Sequence, residues 1–108
     1  MTMNTRIVAA ALGGLLIAGG AWAVQESISQ KGKMFTPDEL SREVGGLVRI
    51  NNDDSIPHNV QVTNPDGENK NFGLQMPGNH ADVAIEKPGD YMVRCGIHPK
   101  MKLVLHAR

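Results

Sequence analysis

Short runs of alternating apolar and polar residues recur along the second half of the chain. They are Asn59-Val60-Gln61-Val62-Thr63, Ala81-Asp82-Val83-Ala84-Ile85 and Lys102-Leu103-Val104-Leu105-His106. A period of two places one side of each run on a core and the other in water, which is the pattern of a half-buried strand. Turn residues separate these runs. Asn51-Asn52-Asp53-Asp54-Ser55, Asn64-Pro65-Asp66-Gly67 and Lys87-Pro88-Gly89-Asp90 supply the Asn, Asp, Pro and Gly that tight turns require. Tyr91 to Cys95 reads as one more strand. Short strands at regular spacing predict an all-β, antiparallel β-sandwich, with no helix of useful length, no internal repeat and no second domain.

The first half is less regular. Gln25 to Gln30 is polar and reads as a loose start, and Lys33-Met34-Phe35 as the end of a first strand stopped by Thr36-Pro37. Pro37-Asp38-Glu39 has the composition of a single helical turn. The apolar residues Leu40, Val44, Leu47, Val48 and Ile50 flank Gly45-Gly46, so a hairpin turning at the glycine pair is expected. Glu68 to Asn79 is polar and reads mostly as loop.

The amino-terminal residues have a different character. Arg6 precedes an apolar run from Ile7 to about Gly20, and Ala21-Trp22-Ala23 supplies a small-x-small pattern. This predicts a secretory signal peptide over residues 1–23, a mature domain over 24–108 and a periplasmic location. The run is short and Gly-rich for a spanning helix of about 20 apolar residues, and a membrane association follows only if the signal stays uncut. Beyond the signal, ten Lys and Arg face eleven Asp and Glu. No basic run or patch appears, which argues against a nucleic-acid partner.

A domain this small is marginal on core burial alone and usually carries a staple. Cys95 is the only cysteine, so no disulfide can form within the chain. A bound metal is the remaining staple, and it would also occupy a thiol otherwise exposed to an oxidising compartment. Cys95, His98 and Met101 stand at i, i+3 and i+6 between two strand-like runs, stiffened by Pro99, and His58 follows Pro57 upstream. Taken singly, each has an ordinary reading as packing or surface residue. Jointly, one thiolate, two imidazoles and a thioether are the ligand set of a blue-copper electron-transfer site. His80 and His106 read as surface residues, and Met34, Met76 and Met92 as packing.

The segment Ile56-Pro57-His58-Asn59-Val60, followed by Tyr91-x-x-x-Cys95-x-x-His98-Pro99-x-Met101, resembles the cupredoxins, with the shortness of the loop closest to their amicyanin-like branch. The resemblance covers the whole mature chain and implies a Greek-key sandwich holding one type 1 copper. It implies that His58, Cys95 and His98 form a trigonal copper plane with Met101 as a long axial ligand. It further implies that Asn59 ties the two ligand loops together near the Cys95 sulfur, a contact that would tune the metal. The expected function is the shuttling of single electrons by a monomer between redox partner proteins such as a dehydrogenase, cytochrome or reductase.

This chain departs from that branch in its loop. Gly96-Ile97 stands where amicyanin has a Thr-Pro pair, and Lys100 where amicyanin has an aromatic residue. The exposed edge at His98 is therefore less apolar and positively charged, so the resemblance does not by itself imply amicyanin's own partner, methylamine dehydrogenase. Lys100 and Lys102 are placed to steer an acidic partner. The alternative is a copper-binding or copper-delivery protein using the same ligands without sustained redox traffic. An enzyme of the multicopper type is disfavoured, because the chain has neither His-x-His pairs nor a second Cys.

Overall fold

A computed structural model describes residues 22–108. Two sheets pack face to face. The smaller has strand order β2-β1-β4-β7, built from Phe35–Thr36, Val24–Gln30, Leu47–Asn52 and His80–Ala84. The larger has order β3-β9-β8-β5-β6, built from Glu39–Arg42, His98–Ala107, Gly89–Cys95, His58–Thr63 and Asn69–Gln75. The inward residues of the alternating runs form the core: Val48 and Ile50 from β4, Val60 and Val62 from β5, Leu103 and Leu105 from β9. At roughly 1.5–3 kcal/mol for each fully buried aliphatic side chain, this interior supplies the main force holding the sheets together.

The β-sandwich expected from the alternation is present, but its sheets are mixed rather than antiparallel. β1 runs parallel to β4, and β3 runs parallel to β9. The reason lies at Gly45-Gly46, which does not turn a hairpin. β3 before it joins the larger sheet, while β4 after it joins the smaller, so the glycine pair is where the chain changes layer. Both glycines have positive φ, 107° and 75°. A Cβ on Gly46 would also collide with the side chain of Gln25, so this crossing needs glycine.

Four other expectations change. Gln25 to Gln30 belongs to an ordered strand, β1, whose inward positions are Ile28 and the polar Gln30. Gln30 is admitted to the core because its amide bonds the Gln75 side chain. Phe35 and Thr36 fold back on β1 as a separate two-residue strand. No helical turn forms at Pro37, since the Asp38 carbonyl accepts the N–H of Val104 at 3.1 Å and β3 starts one residue later. Much of the expected loop 68–79 is β6, an edge strand that buries only Gln75.

Residues 1–21, and with them most of the expected signal segment, lie outside the described residues. Among the described residues the first strand, β1, begins at Val24. Among the described residues no helix is long and apolar enough to cross a membrane.

Candidate metal centre

β8 and β9 meet in a hairpin whose turn is Gly96-Ile97, and Cys95 pairs directly with His98 across it. A two-residue turn explains why the i and i+3 side chains emerge together, since paired positions of a ladder share one face. β5 lies beside β8, with Val60 opposite Cys95, so His58 at the start of β5 reaches the same end of the sandwich. His58 is fully buried, Cys95 is buried and His98 is half-buried.

Three donor atoms converge. His58 Nδ1 lies 3.2 Å from His98 Nδ1, and the Cys95 sulfur lies 3.6 Å and 3.5 Å from those two nitrogens. The triangle is nearly equilateral, and the point equidistant from its corners is about 2.0 Å from each, the length of a first-row metal–imidazole bond. A soft thiolate and two imidazoles in a trigonal arrangement suit copper in both of its common oxidation states. The donors therefore fit copper in chemistry and in spacing. Met101, three residues beyond His98 on β9, is buried and shares with His98, Ile97 and Lys33 the lining of a shallow hollow at this end.

The backbone around the thiol is fixed. Asn59 donates its N–H to the Cys95 sulfur at 3.3 Å, and its carbonyl accepts the Gly96 N–H at 2.8 Å. Its side chain turns away from the sulfur, to Asn71 and the Gly73 carbonyl at 2.8 Å each.

Asp54 is absent from the sequence-based candidates. Its Oδ2 lies 2.8 Å from His58 Nε2, the nitrogen facing away from the donor triangle. That hydrogen bond, then the N–H groups of Gly32 and Lys33, hold its carboxyl below the ordinary carboxylate range. The only sequence signal was an acidic residue four positions before a candidate ligand, inside a turn cluster. The remaining histidines stand apart from the centre. His80 opens β7, exposed, 3.8 Å from Asp82. His106 bridges Asp90 and Glu39 on the outer face, at 2.7 Å to each. Met34 and Met76 are exposed in loops and Met92 is half-buried.

Known structures share this fold. A purple cupredoxin from Nitrosopumilus maritimus matches with a TM-score of 0.68 at 24% identity, covering 78% of this chain and 100% of its own. A reduced amicyanin variant matches at 0.70 and 19% identity, covering 80% and 82%.

The chain has the cupredoxin fold.

One cupredoxin domain of a larger protein also matches. A copper-containing nitrite reductase from Thermus scotoductus gives a TM-score of 0.68 and 26% identity over 85% of this chain, but over only 25% of the enzyme. In sequence, the methylamine utilization protein MauL of Methylophilus methylotrophus is 36% identical over 67 residues. MauL of Methylorubrum extorquens is 30% identical over 64. The chain spans 38% and 56% of the lengths of these relatives. No protein-family profile matches it.

Proposed function

We propose that this cupredoxin is a small exported blue-copper protein that carries single electrons between redox partners. The observation that carries the reading is the converging triangle of His58 Nδ1, Cys95 Sγ and His98 Nδ1, within 3.6 Å of one another. In this reading the three residues hold one copper and Met101 supplies the weak fourth contact. Copper bound there supplies a one-electron Cu(I)/Cu(II) couple.

The protein's part is rigidity and access. Cys95 and His98 sit on a two-residue hairpin, and Asn59 clamps the sulfur from the neighbouring strand, so the donors keep their places when the charge between them changes. His58 is sealed in the core, whereas His98 is half-buried beside exposed Ile97 and reaches the surface. His98 is thus the route by which an electron enters and leaves. No proton donor or substrate pocket is needed, which favours a carrier over an enzyme. The likeness to a nitrite reductase is consistent with this, since it covers a quarter of that protein.

The name shared by the two relatives supports a role beside methylamine utilization, with a dehydrogenase, cytochrome or reductase as partner. Export to the periplasm follows from the expected signal peptide over residues 1–23. The amino-terminal sequence of the protein recovered from the periplasm tests that part: Val24 as first residue supports it.

The visible spectrum of the Cu(II)-loaded protein tests the electron-carrier reading. An intense thiolate-to-copper band that bleaches with a mild reductant and returns on oxidation is expected. A weak or yellow band with loss of copper on reduction overturns it and moves the protein to copper delivery.

A further inference from the structure

We propose that Asp54 is a positioning residue for the metal centre: its carboxylate fixes the His58 ring with Nδ1 free for the metal and places negative charge behind that ligand. The proposal rests on the copper reading above and assigns this chain's own means of setting the balance between Cu(II) and Cu(I).

The geometry leaves His58 one arrangement. Its ring is fully buried, so its Nε2 has no access to bulk water, and the Asp54 Oδ2 at 2.8 Å is the partner that nitrogen meets. A carboxylate only accepts hydrogen bonds. Nε2 therefore carries the proton, and the Nδ1 lone pair points bare at Cys95 and His98. A carboxylate behind a ligating imidazole raises the basicity of the ligand and favours the more highly charged metal ion.

Asp54 is itself held from two sides. Its N–H donates to the Asn52 side-chain oxygen at 2.9 Å, and Asn52 Nδ2 donates to the carbonyls of Ile56 and Gln75. From the β1–β2 loop, Gly32 and Lys33 donate their N–H groups to its two oxygens at 3.0 Å and 3.2 Å. These consecutive residues have φ of 64° and 58°. Two left-handed residues in a row turn successive N–H groups to one side, a concavity that cradles an anion. Lys33 is the one non-glycine residue with positive φ among the described residues. Such a conformation is strained and persists where its surroundings hold it. Here the anion is Asp54, and Lys33 also lines the hollow beside His98. The buried ligand is thereby tied, through one carboxylate, to the surface loop at the edge of the electron port.

The test uses the full mature protein in two states. In the metal-free wild type, nitrogen NMR should find the His58 ring proton on Nε2. In the Asp54→Asn protein, which keeps the size and an oxygen acceptor, the ratio of Cu(II) to Cu(I) affinity should fall about ten- to a hundredfold. The reduction potential should rise by about 59 mV for each factor of ten. A His58 proton on Nδ1 in the wild type, or a potential unchanged in Asp54→Asn, overturns the proposal. A wild type lacking the blue band removes the copper reading alone, because the metal-free NMR measurement still decides whether Asp54 sets the ring. If Asp54→Asn does not fold, Asp54→Ser, which removes the negative charge and leaves a small polar side chain, should raise the potential in the same way, and no shift overturns the proposal.

Discussion

Asn59 grips the Cys95 hairpin with its backbone alone: its N–H meets the sulfur at 3.3 Å and its carbonyl takes the Gly96 N–H at 2.8 Å. The expected tie between the two ligand segments is thus made by main-chain atoms, and the Asn59 side chain serves to anchor β6. Gly96 has no room for a larger residue, because a Cβ there would overlap the side chains of Asn59 and Gln61. Gly96→Ala is expected to destabilise the fold by about 1–3 kcal/mol, the usual cost of overpacking. It should also shift the visible band as the sulfur loses its N–H. Urea unfolding and absorption spectra check both; an unchanged spectrum would show that the tie does not shape the centre.

Cys95 and Met101 should separate cleanly by substitution. Cys95→Ser removes the thiolate, so the intense band should vanish while circular dichroism of the sheets stays native. Met101→Ala should keep the band and change the potential if the thioether acts as the proposed weak fourth contact, which tunes a copper more than it binds it. Loss of the band in Met101→Ala would place the thioether among the strong ligands.

Positive charge gathers on the outer face next to the loop. Arg94 lies directly opposite Lys102 across β8 and β9, and Lys100 lies exposed on the same strand. Like charges placed opposite one another cost a few tenths of a kcal/mol. Lys102→Glu is therefore expected to stabilise the protein by about 0.5 kcal/mol while slowing electron transfer with an acidic partner. Transfer rates in the wild type should fall steeply between about 10 and 200 mM salt, as screening shortens the reach of these charges. Stopped-flow mixing against ionic strength measures this, and a flat profile rules out electrostatic steering.

His106 clasps β3, β8 and β9 through Glu39 and Asp90, and those two carboxylates raise its pKa above the ordinary imidazole value of 6.5. The sign follows from linkage. The folded state binds the proton more tightly, so the clasp contributes fully below pH 6.5 and is lost as pH rises through the raised folded value. His106→Gln should thus lower Tm at pH 6 and converge with the wild type in alkaline solution. A gap that widens with pH contradicts the assignment.

What was readable from the sequence was local. The Cys95 to Met101 spacing is informative because a two-residue hairpin converts it directly into side-chain direction. The strands around Val60, Val83 and Leu103 announce themselves by alternation. β1 does not, since one of its inward residues is Gln30, acceptable in the core only because Gln75 meets it from another sheet. β6 is an edge strand with a single buried residue, so its pattern is that of a loop. The parallel pairings join segments distant in the chain, and neither alternation nor turn chemistry encodes which strands meet. Asp54 was hidden for the same reason: nothing in the turn cluster says that one of its carboxylates faces His58.

The parallel seam between β3 and β9 joins segments far apart in the chain. Glu39 pairs with Val104 and Leu40 with Leu105, and such distant pairings form slowly. His98 reaches Cys95 through the local β8–β9 hairpin, whereas His58 joins them only when β5 pairs with β8. A metal ion captured after these pairings are made would hold β5, β8 and β9 together at one point. It lengthens the lifetime of the folded chain without hastening its arrival.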